Sequence, residues 1–155
     1  MSAPLRRATH HDAHALWLWA NDPVTRQASG GRAEIPWASH LAWLRDRLES
    51  DSAVIFVLDR AVDDPVGTIR FETADQWSTA RLSYAVAPEA RGRGYGRELL
   101  RRGTTAIRQL HPRVTLVALV AADNARSHHL FDRLGWAKES TAEGFRFTGE
   151  AGVAR

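Results

Sequence analysis

The chain has 155 residues, which suits one domain over 1–155 rather than two, and its 21 basic and 18 acidic residues leave a net charge of only +3. Cysteine is absent, which excludes disulfides, thiolate zinc sites and a cysteine nucleophile. The first 25 residues lack the apolar core of a signal peptide, and no run approaches the ~20 apolar residues of a membrane span, so we expect a soluble, cytoplasmic protein.

The N-terminal third of the chain predicts two helices after a short extended segment at 5–8. Thr9 and Asp12 have the spacing of a capping box. The first helix has apolar residues at helical spacing: Ala13, Leu16, Trp17 and Ala20. It ends at Asn21-Asp22-Pro23, and a second helix with the same periodicity follows Pro36. His10 and His14 lie four residues apart without an evident third ligand, so we predict no metal site.

The hydrophobic period then changes to that of strands. Residues 53–58 form a continuous apolar run, while 66–72 and 81–86 alternate apolar with polar residues, which predicts an antiparallel pair joined by 74–79. Residues 114–121 are the most apolar segment, with the composition of a central strand buried on both faces. A last strand is predicted at residues 145–148.

Three glycines at alternate positions separate the 81–86 strand from a helix that ends at His111-Pro112: Gly92, Gly94 and Gly96. Glycine lets the backbone approach a ligand closely. A helix that starts near Gly94 presents unpaired amide groups and the positive end of its dipole. Together these features predict an anion site suited to a pyrophosphate, with Arg91, Arg93 and Arg97 at its rim.

Spacing excludes other nucleotide motifs. A P-loop needs a lysine followed by serine or threonine after its last glycine, and a dinucleotide fingerprint needs a glycine at position 97, but Arg97-Glu98 stands there. A flexible surface turn is the alternative, and the strand and helix on either side of the loop argue against it. Nucleic-acid binding is disfavoured because the basic cluster surrounds a glycine loop rather than stacking aromatics.

A last helix follows Asp123-Asn124 and closes at Gly135. One stripe of this helix carries Ser127, Leu130, Phe131 and Leu134. The predicted order of elements is therefore β-α-α-β-β-β-α-β-α-β, which is an α/β fold without a linker or repeat.

The segment 86–96 resembles the acetyl-CoA loop of the GNAT acetyltransferase superfamily. The loop pattern of that superfamily, Arg or Gln, two residues, Gly, one residue, Gly or Ala, is matched by Arg91, Gly94 and Gly96. Its downstream Asn, which opens a helix that ends in Gly-Phe, is matched by Asn124, with Gly135-Trp136 at the end of the helix. The resemblance covers nearly the whole chain.

The resemblance implies a mixed, mostly antiparallel central sheet flanked by helices, with acetyl-CoA as co-substrate and no metal. It also implies that the backbone of Ala85 and Val86 binds the pantetheine arm like an added strand, and that the amides from Gly92 to Arg97 hold the pyrophosphate. The implied coenzyme-binding set is Ala85, Val86, Arg91, Gly92, Arg93, Gly94, Tyr95, Gly96, Arg97, Asn124 and Phe131.

The sequence departs from the family at two catalytic positions. Many members carry a tyrosine seven residues after the Asn, which protonates the departing thiolate, and some carry a glutamate five residues before it; this chain has Phe131 and Leu119. Ser127 is the candidate to donate a proton or position a water, and Glu72 is the candidate base acting through water. The alternatives are close packing for Ser127 and an ordinary strand-end charge for Glu72.

The segments 17–26 and 37–44 resemble the GNAT enzymes that N-acetylate nucleotide-linked 4-amino sugars on the route to pseudaminic acid. Tryptophans stack on sugar or base faces, although Trp17 and Trp37 lie on core stripes and we expect both to be buried. The candidate substrate contacts are Asn21, Arg26 and His40.

Three hypotheses for function follow from these patterns. The first is an N-acetyltransferase for an amino-sugar nucleotide, and the second an N-acetyltransferase for a protein N-terminus, an amino acid or another small amine. The third is a non-catalytic acyl-CoA-binding module, which Phe131 and Leu119 would favour. We expect a small-molecule partner, except where the acceptor is a protein N-terminus, and no partner that is a nucleic acid or a membrane. The chain could also form a homodimer.

Overall fold

The computed structural model describes residues 4–28 and 33–150. The strands are β1 (Leu5–Arg7), β2 (Ala53–Ala61), β3 (Asp64–Glu72), β4 (Thr79–Val86), β5 (Thr115–Ala121), β6 (Ala137–Thr141) and β7 (Gly144–Gly149). The helices are α1 (Ala13–Asn21), α2 (Pro23–Ala28), α3 (Trp37–Glu49), α4 (Tyr95–Leu110) and α5 (Ala125–Arg133). Short 3₁₀ turns at His10–Asp12 and Pro88–Ala90 precede α1 and the glycine loop.

The strands form one seven-stranded sheet in the order β1-β2-β3-β4-β5-β7-β6. Every neighbouring pair is antiparallel except β4 and β5. That pair is parallel because α4 carries the chain back across the sheet between the two strands. The mixed, mostly antiparallel sheet flanked by helices that the sequence predicted is confirmed.

The register divides the sheet into two faces. The covered face is apolar and is defined by Ile69, Leu82, Leu116 and Phe147. Gly103 of α4 lies directly against Ile69, and Phe131 of α5 stacks on Phe147 with ring centroids 5.2 Å apart, so α4 and α5 pack on this face.

The other face is covered by helices only in part. On β3, Arg70 lies over the Trp43 ring of α3, which places that helix above β2 and β3. On β4, β5 and β7 we call this side the open face, defined by Arg81, Ser83, Leu119 and Arg146, all of which are exposed. An exposed Leu119, at 52 %, in the middle of the sheet corrects the expectation that β5 is buried on both faces.

A polar clamp fixes the start of the chain against β2. The Arg6 guanidinium donates to Asp59 at 2.6 Å and to Asp12 at 2.9 Å, and both carboxylates are buried. Burial alone would raise the pKa of Asp12, but hydrogen bonds from Arg6 and from the Thr9 amide hold it below its usual value. Asp12 also completes the predicted capping box with Thr9, so the clamp sets where α1 begins.

Two elements were not predicted. The short helix α2 begins directly after α1, at Pro23, where the sequence indicated only a stop. Strand β6 has all five residues exposed and therefore shows no alternation of apolar and polar residues. Among the described residues, no helix is both long and apolar enough to cross a membrane.

Gly103 provides a test of how α4 packs against the sheet. A Cβ at this position would lie 2.8 Å from both Cδ1 and Cγ2 of Ile69, and a branched core side chain cannot move aside freely. We expect Gly103→Val to lower the free energy of unfolding by about 3 kcal/mol, because the substitution overpacks the core. Urea denaturation measures this.

Thr105→Val, which adds no atom to the core, is the control on the exposed side of the same helix. It should change stability by no more than about 0.5 kcal/mol. Equal stability of the two variants would show that α4 does not depend on this close approach.

Candidate active site

The central feature of the site is a gap between β4 and β5. The two strands pair only from Thr79 to Arg81 on β4 and from Thr115 to Val117 on β5. Beyond Arg81, β4 continues to Val86 and pairs only with β3. The backbone groups of β4 that face β5 along this stretch are therefore available to an extended ligand, which could bind there as a strand binds a sheet edge.

The glycine loop lies at the wide end of the gap. Gly92 has φ +77° and Gly94 has φ +86°, a left-handed conformation that favours glycine. A Cβ at either position would meet nothing within 4 Å, so the loop borders open space. Gly94 is the N-cap of the 16-residue α4, and no side chain caps the helix amides. Free amides, the helix dipole and the exposed Arg93 and Arg97 make this end a candidate anion site.

Arg91, the first residue of the loop motif, is held by the N-terminal half of the chain. Its guanidinium donates to Asp22 at 2.6 Å and to the Thr25 hydroxyl at 3.3 Å. Burial alone would raise the pKa of Asp22, but the hydrogen bonds from Arg91 and the Thr25 amide hold it below its usual value. Because Asp22 lies at the junction of α1 and α2, the ion pair ties that junction to the anion site.

Gly96 and Tyr95 begin α4 beside the gap. A Cβ on Gly96 would lie 3.2 Å from Leu130, 3.6 Å from Tyr84 and 3.8 Å from Val86. The glycine thus lets the start of α4 approach both β4 and α5. Tyr95 is half-buried and packs against the core.

Helix α5 flanks the gap from the covered face. The Asn124 side chain caps this helix by accepting from the Ser127 amide at 3.3 Å. Ser127 and Phe131 are both buried. Phe131 packs among Phe147 and Trp136. As a phenylalanine, it has no hydroxyl group to offer the site.

A hydroxyl pair that the sequence did not predict joins the two sides of the gap. The Tyr84 hydroxyl lies 2.7 Å from Ser127 Oγ. Tyr84 belongs to β4 and Ser127 to α5, 43 residues away. The alternation of β4 predicted that Tyr84 points to the covered face, but no local pattern could identify its partner.

On the opposite side of the sheet, Glu72 lies at the closed end of the gap, beside Arg81 of β4. One carboxylate oxygen accepts from Arg70 at 2.7 Å, and the other lies 3.0 Å from Arg47 Nε. The predicted base is therefore engaged by two guanidinium groups.

The three predicted substrate contacts lie in the N-terminal helices. The Asn21 side chain donates to the Ile35 carbonyl at 3.0 Å and accepts from the Ile35 amide at 2.7 Å. His40 is buried, and its Nε2 lies 2.9 Å from the Ala13 carbonyl oxygen. Burial lowers the pKa of His40, although its bond to Ala13 acts in the opposite direction. Arg26 is half-buried on α2. Asn21 and His40 thus hold α1 to the segment around α3, and no hydrogen bond among the described residues joins either of them to Arg26.

Aromatic rings form a series between α1 and α3. Trp37 is 39 % exposed and meets Trp17 edge to face at 5.2 Å, so the expected burial of Trp37 is wrong. The series continues from Trp37 through His40 to Trp43, whose ring lies under Arg70. Within residues 4–28 and 33–150, no group of three or more His, Cys, Asp or Glu side chains could hold a metal ion.

Solved structures share this fold across almost the full chain. Spermidine N-acetyltransferase from Vibrio cholerae, in complex with CoA and spermine, has a TM-score of 0.85 at 17% identity, over 96% of this chain and 95% of that one. The Salmonella typhimurium protein yncA, with its cofactor acetyl-CoA, has a TM-score of 0.81 at 21% identity, over 100% and 97% of the two chains.

A third similar structure is ribosomal-protein-alanine N-acetyltransferase from Brucella melitensis, with a TM-score of 0.78 at 24% identity, over 94% of this chain and 96% of that one. No curated protein matches the sequence significantly. The family model described as the acetyltransferase (GNAT) domain matches residues 4–137. The chain therefore belongs to the GNAT acetyltransferase family, as the loop motif and the last helix predicted.

Proposed function

We propose that the protein transfers an acetyl group from acetyl-CoA directly to a primary amine, and that the amine belongs to an amino-sugar nucleotide. The observation that carries the transfer reaction is the gap between β4 and β5, which leads from a free helix N-terminus to the middle of the sheet. A long ligand with a pyrophosphate at one end and a thioester at the other fits such a path.

In this proposal the amides from Gly92 to Arg97 bind the pyrophosphate, and Arg93 and Arg97 contribute charge from the rim. The pantetheine arm then lies along the free edge of β4 at Ala85 and Val86, with α5 and its capping Asn124 on the other side. The thioester reaches the closed end of the gap, where β4 and β5 begin to pair. The backbone amides of β4 would stabilise the oxyanion there.

The amine nitrogen attacks the thioester carbonyl carbon, so that a C–N bond forms and the C–S bond breaks with its electron pair on sulfur. The nitrogen loses one proton and the sulfur gains one, which balances the reaction without a further reactant. Phe131 cannot serve the departing sulfur. We assign that role to Ser127, the hydroxyl on the same helical stripe, as the group that donates to the thiolate.

Glu72 remains the candidate base, acting through water, because it is the carboxylate beside the closed end of the gap. Arg70 and Arg47 already engage its two oxygens, so a water bound to Glu72 would have to share them. An acceptor whose amine is less basic than lysine, at about 10.4, needs less help to lose its proton. An amine next to the electron-withdrawing oxygens of a sugar ring meets this condition.

The charge of the open face supports an anionic acceptor. Arg81 and Arg146 lie on either side of Leu119, and Arg70 extends the row onto β3. Arg70 is paired with Glu72, and Arg146 approaches Glu139 at 3.7 Å, but the described part of the chain offers Arg81 no ion-pair partner. The phosphates of a sugar nucleotide would bind such a surface, whereas a polycation such as spermine would be repelled.

The aromatic series on α1 and α3 gives the same acceptor a stacking surface. Trp37 and Trp43 could contact the base or the sugar. The predicted contacts Asn21, Arg26 and His40 lie on α1, α2 and α3, respectively. We place the reaction in the cytoplasm because its proposed substrates carry phosphates and do not cross membranes unaided. The partners of the protein in this proposal are small molecules.

The acceptor is tested with a panel of amines in a thiol-release assay with acetyl-CoA. The panel contains a nucleotide-linked 4-amino sugar, spermidine, an alanine-terminated peptide and free amino acids. We expect the sugar nucleotide to give the highest kcat/KM. Faster acetylation of spermidine would defeat the anionic-acceptor proposal, and no thiol release with any amine would favour a coenzyme-binding module without catalysis.

Arg81→Gln should raise KM for the sugar nucleotide about tenfold, because it removes one charge-assisted hydrogen bond worth about 1.5 kcal/mol. The KM for acetyl-CoA should stay unchanged. The control is Arg133→Gln, another exposed arginine, which lies at the end of α5 on the covered side of the sheet. Equal KM values in the two variants would remove Arg81 from the acceptor site.

Gly94→Ala should weaken binding of acetyl-CoA at least about tenfold, since alanine at φ +86° costs about 1–2 kcal/mol and its methyl group enters the space of the ligand. Gly135→Ala is the matched control, because Gly135 has φ +73° but closes α5 far from the loop. Titration calorimetry measures both affinities. A wild-type protein that did not bind acetyl-CoA at millimolar concentration would contradict the proposed function.

A further inference from the structure

The hydroxyl pair of Tyr84 and Ser127 is the one side-chain hydrogen bond described between β4 and α5. Tyr84 is three residues beyond Arg81, where pairing with β5 stops, and one residue before Ala85. Its side chain points to the covered face, because its register partner is the buried Ile69. The pair therefore spans the gap on the side of α4 and α5, along the path that we propose for the pantetheine arm.

The ring of Tyr84 is held in place independently of its hydroxyl group. It meets Phe131 edge to face at 6.3 Å, and it lies close enough to α4 that a Cβ on Gly96 would touch it at 3.6 Å. Phe131 is itself fixed between Phe147 and Trp136. The packed ring thus delivers its hydroxyl group to Ser127 without depending on the hydrogen bond.

The chemistry of the two hydroxyls indicates which one donates. A phenol, with an ordinary pKa near 10, is a far stronger acid than an aliphatic alcohol, so Tyr84 is the better donor and Ser127 Oγ the better acceptor. The described residues give Ser127 Oγ no second hydrogen-bond partner. Its own hydrogen remains available to a ligand in the gap, and a hydroxyl that accepts a hydrogen bond becomes a stronger donor.

We propose that Tyr84 is a positioning residue that orients the Ser127 hydroxyl toward the sulfur of the coenzyme, an inference that rests on the proposed acetyl transfer. As the C–S bond breaks, the electron pair moves to sulfur and Ser127 Oγ–H donates to it. The thiolate then takes a proton from water, and the amine nitrogen releases one proton to water, so the protons balance. Tyr84 keeps its own proton throughout and donates to Ser127.

The electrostatics agree with this role. Burial raises the pKa of Tyr84, while the hydrogen bond with Ser127 and the charge of Arg126 act in the opposite direction and offset only part of the effect. The phenol therefore stays protonated at neutral pH and remains a donor. A tyrosine that had to release its proton to the thiolate would need the opposite shift.

The test compares Tyr84→Phe, Ser127→Ala and the double variant, with the amine of the panel that the wild-type protein acetylates fastest. Tyr84→Phe keeps the packed ring and removes only the hydroxyl group. We expect it to lower kcat about tenfold, and Ser127→Ala to lower kcat about 100-fold. The KM for acetyl-CoA and the calorimetric affinity should stay within about twofold of wild type.

Because the two hydroxyls act as one unit, the double variant should be no slower than Ser127→Ala. Thr104→Val is the control, since it removes another buried hydroxyl, one that bonds the Leu100 carbonyl within α4. It should lower the melting temperature without changing kcat. A purely structural role for Tyr84 predicts the same pattern for Tyr84→Phe as for this control.

Three results would overturn the proposal. The first is a Tyr84→Phe variant as fast as wild type, and the second is a double variant slowed about 1,000-fold, which would make the two effects independent. The third is tighter coenzyme binding by Tyr84→Phe, which would mean that the pair obstructs the gap. A wild-type protein that released no thiol with any amine would overturn both this inference and the proposed function.

Discussion

The site depends on a parallel strand pair that is hydrogen-bonded over only three residues on each strand. Parallel neighbours require a crossover, and here α4 provides it, so the start of that helix necessarily lies near the end of β4. The diverging strands leave backbone groups free in the middle of the sheet, where they would otherwise be paired. The open N-terminus of α4 and the free edge of β4 are therefore consequences of one topological feature.

Glycine allows three elements to converge at the wide end of this gap. Gly92 and Gly94 adopt positive φ and leave the helix amides open, whereas Gly96 brings α4 against β4 and α5. The loop motif thus contains two kinds of glycine, one conformational and one steric. A larger residue at Gly96 would disturb the packing of α4 against β4 and α5, while one at Gly94 would weaken ligand binding.

The sequence was sufficient to predict the family, the mixed fold and the order of the elements other than α2 and β6, because these depend on local patterns: glycine spacing, strand alternation and helical periodicity. It did not reveal β6, whose exposed residues show no periodicity, or the open side of β5, because Leu119 is apolar whether it is buried or not. The bond between Tyr84 and Ser127 depends on the register of strands far apart in the chain. Asn21 and His40 look like ligand contacts in the sequence, although both bond backbone groups of the protein itself.

The ion pair of Arg91 with Asp22 has a further consequence for how the two halves of the site depend on each other. Arg91 is the motif residue that would approach the pyrophosphate, yet its guanidinium is held 2.6 Å from a carboxylate at the junction of α1 and α2, and both side chains are largely buried. A phosphate that drew Arg91 away would leave Asp22 without that partner, and an unpaired buried carboxylate is costly. Asp22 therefore favours a loop in which Arg91 stays in place, and in the proposed complex the backbone amides, rather than this arginine, would bind the phosphates. The same bond fixes the end of α1, the helix that carries Trp17 of the aromatic series, so that in the proposed complex acceptor and coenzyme would meet on elements already held together.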